Sequence, residues 1–371
     1  MKRIIVIGAG ILGASTAYHL SKKGAQVTLI DRQDPGQATD AAAGIVCPWL
    51  SQRRNKVWYR LVKSGAKYYP QLIKELEASG ETETGYKRVG AISLHNDDKK
   101  LDKMIERAVK RRGDAPEIGD IRKLTAAETK ERFPLLAEDF ASVYVSGAAR
   151  VDGRALRHAL IRAAEKNGAD FRSGDAKILL SNGCAAGVKI GQETIEADSV
   201  IVTAGVWAKE LFSEVGIDFQ VSSQKAQILH LQAPQADTSH WPVVMPPGSQ
   251  YLLGFPEGKV VAGATHEDEA GFDCRVTAGG MHEVLSKAIE SAPGIHDCTV
   301  VETRVGFRPF TPGFLPVFGA VPGLDGAFTA NGLGASGLTA GPYLGSELAK
   351  LVMGEETELD PADYRVADAI G

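Results

Sequence analysis

The chain has 371 residues, enough for two folding units, and its 44% apolar and 24% charged residues are ordinary for a globular protein. A net charge of −4 excludes a global field drawing it to nucleic acid or an anionic membrane. The four cysteines (Cys47, Cys184, Cys274 and Cys298) show no metal-ligand spacing, so we expect no metal site and a reducing, cytoplasmic setting without disulfides.

Lys2 to Ile7 reads as a short β-branched strand, and Gly8-Ala9-Gly10-Ile11-Leu12-Gly13 follows at once. This apolar start is too short and too glycine-rich for a signal peptide, and no run approaches the roughly 18 apolar residues of a membrane span. Peripheral membrane association is left open. Ile11, Leu12, Ala14, Ala17 and Leu20 recur at helical spacing, and Gly24 marks a helix stop. Gln26 to Ile30 is a second strand, ended by Asp31 and Arg32. This is the start of a dinucleotide-binding βαβ unit. Gly8 permits the tight turn, Gly10 the approach of a pyrophosphate, and Gly13 close helix–sheet packing. The helix N-terminus at Ile11 and Leu12 supplies N–H groups and a positive dipole end. Asp31 can accept hydrogen bonds from ribose hydroxyls. Nicotinamide and flavin dinucleotides remain equally compatible with this motif.

Further along, Val57–Ser79 reads as a helix, Arg88–His95 as a strand and Lys99–Arg112 as a charged amphipathic helix ending in a solvated basic run. Thr125 to Glu128 has the form of a capping box. Ala141–Val145 is a strand, Arg154–Asn167 a helix and Ala169–Arg172 a strand. Glu196–Thr203 has the apolar look of a central parallel strand. Gln224–Leu231 and the hairpin Tyr251–Phe255/Lys259–Thr265 suggest antiparallel sheet. Met281–Ser291 is a helix and Thr299–Phe307 a strand. Phe310–Gly326, rich in Pro and Gly, reads as an ordered loop. Ala327–Ala330 is a last strand before a second glycine-rich loop, Gly334-Ala335-Ser336-Gly337, and a helix to about Met353. The pattern predicts an α/β Rossmann-like domain (1–85, 150–222 and 315–371) and an inserted antiparallel-sheet substrate domain (86–149 and 223–314).

From Lys2 to about Met353 these blocks resemble the D-amino-acid oxidase superfamily of flavoproteins, especially its glycine oxidase and D-amino-acid dehydrogenase branches. The specific marks are Ala38-Thr39-Asp40-Ala41-Ala42-Ala43-Gly44-Ile45, Thr203-Ala204-Gly205-Val206-Trp207, Gly306-Phe307-Arg308-Pro309 and Gly334-Ala335-Ser336-Gly337-Leu338-Thr339. The resemblance implies non-covalent FAD. Thr39, Ala42, Ala43, Gly44 and Ile45 would lie beside its phosphates and ring. Ala204 and Gly205 would lie below the adenosine, with Ala176 as a loosely aligned adenine contact. Trp207 belongs to that motif, although packing explains it better than ligand contact. Gly334 to Thr339 would face the flavin pyrimidine edge, where a helix N-terminus stabilises negative charge, with Ser336 and Thr339 adding hydroxyls. Arg308 would fix a substrate carboxylate in a two-pronged bond, helped by Tyr251.

Strand periodicity supports that role independently. Glu302, Arg304, Gly306 and Arg308 share one face; Glu302 and Arg304 can pair, leaving Arg308 at the strand end with no evident local partner. His266 is read as a solvent-facing loop residue. Cys47–Leu50 and the cluster Gln52–Lys56 are expected near the substrate mouth.

The implied activity is oxidative deamination of a D-amino acid or glycine by hydride transfer to flavin, with oxygen or a quinone or dye as acceptor. Three other readings stand beside it: a nicotinamide-dependent dehydrogenase, a sarcosine- or proline-like secondary-amine oxidase, and a non-catalytic flavin-binding protein. The absence of any Cys after Cys298 argues mildly against the covalent branch of secondary-amine oxidases. Oligomeric state is not readable.

Overall fold

The computed structural model describes all residues, 1–371. Its first sheet has six strands in the order Val317–Ala320, Ala327–Asn331, Ser199–Val202, Arg3–Ile7, Gln26–Asp31, Asp170–Ser173. All neighbours are parallel except the antiparallel edge pair 317–320/327–331. The central strands are buried along almost their whole length, which explains their unbroken apolar sequence. Helices Ile11–Lys22, Gly153–Lys166, Gly337–Met353 and Lys56–Ala78 pack together over one face.

The second sheet has eight strands: Thr299–Phe310, Ser222–Gln232, Lys259–Gly263, Tyr251–Phe255, Val243–Met245, Ala91–His95, Ala141–Val145, Ile121–Leu124. It is antiparallel apart from the 243–245/91–95 pair. Two three-stranded sheets complete the fold. One is a meander, Ala176–Ser181, Cys184–Ile190 and Glu193–Glu196, and the other joins Ile45–Val46, Ala149–Arg150 and Lys87–Arg88.

The α/β class with an inserted antiparallel sheet is as the sequence predicts, and four boundaries differ. The run Arg88–His95 is broken at Gly90, whose positive φ turns the chain between two short strands. Glu196–Thr203 is two strands, because the chain turns at Asp198, whose carboxylate accepts from Arg3 N at 2.8 Å. The supposed loop Phe310–Gly326 contains the edge strand Val317–Ala320. The strand from Thr299 runs on to Phe310, so Arg308 lies inside it. Pro309 is tolerated there because this strand is the sheet's edge.

The two large sheets meet where that long edge strand touches the loop after Asp31. Phe307 N donates to Gly36 O at 2.9 Å, and Arg304 Nη1 to Asp40 O at 3.3 Å. A Cβ on Gly306 would stand 2.7 Å from Ala41 Cβ, so only glycine lets the loop lie flat on the strand.

Candidate active site

A large cleft runs along this junction. Its empty space, open mouth included, is about 1730 Å³. One part of its wall is Gly8, Gly10, Ile11 and Leu12, with Leu333 of the loop Gly332–Ala335 near Ile11; another part is Tyr251 and Arg308.

The glycine end is made of backbone. Gly8 has φ +97, and a Cβ there would lie 2.7 Å from Thr203 O. A Cβ on Gly13 would collide with Gly8 O, so helix Ile11–Lys22 packs on the turn only as glycine. Asp31 stands at the end of the second strand, yet its carboxylate serves its own chain. It accepts from Ala9 N at 2.5 Å, Gln33 N at 2.6 Å and Gln37 Nε2 at 2.8 Å. Arg32 reaches out to Asp34, Asp175 and Glu210, and the bond to Glu210 foremost holds its guanidinium above its usual range.

Helix capping separates this cleft from the rest of the molecule. Helices starting at Lys56, Asp98, Ala126, Gly153 and Ala278 each receive a side-chain bond from their own N-cap residue. Helices Ile11–Lys22, Ala208–Ser213 and Gly337–Met353 receive none. These three begin at residues that wall the cleft or directly follow one; the Ala208 N–H is already taken by Gly205 O in the preceding turn. For the first helix, Thr39 Oγ1 accepts from Ile11 N at 2.9 Å from the neighbouring loop. The Thr39 hydroxyl proton stays free to donate.

At the other end, Arg308 Nη1 donates to Gln224 Oε1 at 2.9 Å, across the strand pair in which the two residues are partners. The local partner missing from the sequence reading is therefore supplied by the next strand. Burial lowers the Arg308 pKa, with Tyr251 acting against the shift. Burial raises the Tyr251 phenol, opposed by Arg308. No carboxylate pairs with Arg308, whereas Arg304 is bound to Glu302 at 2.8 Å.

The model of the FAD dependent oxidoreductase family matches residues 3–351. The chain belongs to that family. "Uncharacterized oxidoreductase YurR" of Bacillus subtilis (strain 168) is 65% identical over the whole of both chains. The crystal structure of iminodiacetate oxidase from Chelativorans sp. BNC1 superposes with a TM-score of 0.95 at 48% identity, covering 98% of each chain. Glycine oxidase from Geobacillus kaustophilus gives a TM-score of 0.87 at 27% identity over all of both chains. The D-amino-acid oxidase superfamily, FAD as cofactor and an oxidoreductase acting on C–N bonds of amines or amino acids are thereby shown. A nicotinamide-dependent dehydrogenase is set aside.

The cleft of this oxidoreductase fits FAD: small residues and two helix starts without a side-chain cap of their own lie along its wall, leaving room for phosphates and a planar ring. Of the residues expected around the cofactor, Gly8, Gly10, Ile11, Leu12, Asp31, Arg32, Thr39, Ala42, Ala43, Gly44, Ile45, Ala176, Ala204, Gly205, Trp207, Gly334, Ala335, Gly337 and Leu338 line the cleft. Gly13 lies behind it as a packing position. Ser336 and Thr339 are not on its wall, because their hydroxyls are engaged elsewhere. Ser336 Oγ accepts from Trp58 Nε1 at 3.1 Å, and Thr339 Oγ1 donates to Ile45 O at 2.8 Å. Trp207 is half-buried and stacks on Phe272, with ring centroids 5.8 Å apart.

Cys47, Trp49 and Leu50 are buried core, not mouth; Arg111 Nη1 holds the Trp49 and Ser51 carbonyls at 2.5 and 2.7 Å. Burial pushes the Cys47 thiol up to about 12, so it is inert. Within the basic cluster, Arg53 stacks over Trp58 at 4.7 Å and donates to the Phe314 carbonyl, with no acid partner. His266 is exposed, as expected.

Sequence reading missed Gln37, Gln224 and Asn331 as site residues. Asn331 donates to Gly205 O at 2.8 Å and accepts from Gly332 N at 2.7 Å, tying the late glycine loop to the Ala204–Gly205 turn. An Asn closing an apolar strand before glycine was the available signal.

Proposed function

We propose that the chain oxidises the C–N bond of a small amino acid held by its carboxylate on Arg308. The observation that carries this reading is a half-buried guanidinium inside the cleft, free of any acid and beside Tyr251. A planar guanidinium suits a carboxylate through two parallel bonds, and the Tyr251 hydroxyl can add a third. On this reading the domain 1–85, 150–222 and 315–371 holds FAD non-covalently, while 86–149 and 223–314 supply the substrate wall. FAD, when bound, takes up the two electrons and the α-hydrogen lost by the substrate. The protein orients the amine, excludes water and needs no His/Asp dyad, because the neutral nitrogen lone pair provides the push. The imino product hydrolyses to a 2-oxo acid and ammonia, and oxygen or a quinone or dye is the final acceptor. Glycine and D-amino acids are the substrates of first choice.

A second reading, a secondary amine bearing two carboxylates, is favoured by the 48% identity to an iminodiacetate oxidase. Anaerobic loss of flavin colour on adding glycine, D-alanine, L-alanine, sarcosine or iminodiacetate, followed by exposure to air, decides between them. Bleaching by glycine or D-alanine supports the first reading, and bleaching by iminodiacetate alone supports the second. No bleaching by any of the five overturns both.

A further inference from the structure

Gln224 stands between two groups of opposite hydrogen-bonding character. Its Oε1 accepts from Arg308 Nη1 at 2.9 Å, and its Nε2 donates to Asp268 Oδ1 at 2.8 Å. A guanidinium only donates and a carboxylate only accepts, so a side-chain amide can bridge them in one orientation alone. The amide is thereby prevented from flipping, and its oxygen is locked onto the guanidinium.

The far end of this chain is itself rigid. Glu267, next to Asp268, exchanges two backbone bonds of 3.0 Å with Lys225, the residue after Gln224. Lys225 is almost fully buried; its Nζ donates to Arg275 O at 2.9 Å and lies 3.5 Å from Asp273 and 3.7 Å from Glu267. Gln227, two residues further along the strand, donates to Glu267 Oε1 at 2.8 Å and to Thr277 Oγ1 at 3.0 Å. Thus the 265–277 segment is pinned to the strand that carries Gln224, and Asp268 has a defined place.

We propose that Gln224 is the positioning residue for Arg308, and that it orients the guanidinium through a neutral group so that the full positive charge remains for the substrate carboxylate. Had the acid paired with Arg308 directly, as Glu302 does with Arg304, it would have competed with the substrate. The amide transmits the orientation set by Asp268 while keeping that carboxylate one residue away.

The proposal rests on Arg308 being the carboxylate anchor, and the experiment keeps the two apart. The FAD-loaded enzyme is titrated with acetate, followed by the flavin absorption spectrum, for the parent and for Gln224→Ala, Gln224→Glu, Asp268→Asn and Arg308→Ala. Flavin content and melting temperature are measured alongside. Gln224→Ala should weaken acetate about tenfold, equivalent to about 1.4 kcal/mol, and raise KM by a similar factor with kcat within about twofold. Gln224→Glu should be weaker than Gln224→Ala, because its charge neutralises the anchor. Asp268→Asn should fall between parent and Gln224→Ala. If Arg308→Ala abolishes acetate binding while Gln224→Ala and Asp268→Asn both stay within about twofold of the parent, the positioning role is overturned and the anchor stands. Unchanged acetate binding in Arg308→Ala removes the anchor itself. Should Gln224→Ala not accumulate folded, Asp268→Asn, which preserves size, gives the same discrimination.

Discussion

The two ends of the cleft recognise by different means. At the Gly8–Gly13 end, nearly all the work falls to backbone: a turn no Cβ can enter, a helix start without its own cap, and a carboxylate spent on holding its own loop. At the Arg308 end, recognition rests on side chains from separate strands, Arg308, Tyr251 and Gln224, brought together by sheet register. A backbone site tolerates no added atom and draws its preference for anions from N–H groups and a helix dipole rather than from charged side chains. A side-chain site tolerates resizing nearby but depends on each charge and each partner.

The strongest way to break this contrast is Gly13→Ala. The added methyl collides with Gly8 O, and overpacking of this kind costs about 1–3 kcal/mol. We expect loss of most bound FAD, read by absorbance of the purified protein; full flavin content in that variant would contradict a backbone-made site. Next comes Arg308→Ala. Loss of hydrogen bonds to a charged group costs about 1.5–3 kcal/mol, so KM should rise roughly 10- to 150-fold while FAD stays bound. Co-loss of flavin there would show that the two ends are not separable.

A third test stresses the nucleotide side alone. His19, on the first helix, is buried against Tyr68 (2.8 Å between Tyr68 Oη and His19 Nε2), and burial pushes its imidazole down to about 3. The unfolded chain takes up that proton below about 6.5 and the folded chain does not. Stability should therefore be unaffected above that pH and fall as pH drops from about 6.5 towards 3, by about 1.4 kcal/mol per pH unit from this one group. His19→Gln should flatten the acid limb of the melting temperature; an unchanged slope would refute the assignment. The smallest effect is expected for Ser336→Ala. It removes only the bond from Trp58, so stability should drop by about 0.5–1.5 kcal/mol with KM unchanged. A marked KM rise would return Ser336 to the cleft wall.

Legibility followed the same division. Gly8, Gly10, Gly13 and Asp31 were readable because local chain geometry dictates residue type at fixed spacing. The loops at Ala38–Ile45 and Gly334–Leu338 were readable through family resemblance, and they line the cleft. The hydroxyls of Ser336 and Thr339 were assigned outward because a hydroxyl beside a glycine loop looks free, whereas Trp58 and Ile45, close only in space, take them. Trp49 and Leu50 were placed at a mouth because they follow the loop in sequence, and the arginines of helix Asp98–Arg112 hold that segment inside.

The sequence alone thus determined the dinucleotide start, the α/β class with its inserted antiparallel sheet, and Arg308 as an unneutralised cation on its own strand. These follow from interactions within a few residues, where spacing and chemistry coincide. Only the tertiary structure decided which groups surround them: Gln224 across from Arg308, Thr39 over the start of the first helix, Asn331 joining the two loops. Each of these contacts spans 28 to 126 residues of chain. Sheet order and register create them, and nothing in the local sequence carries that information.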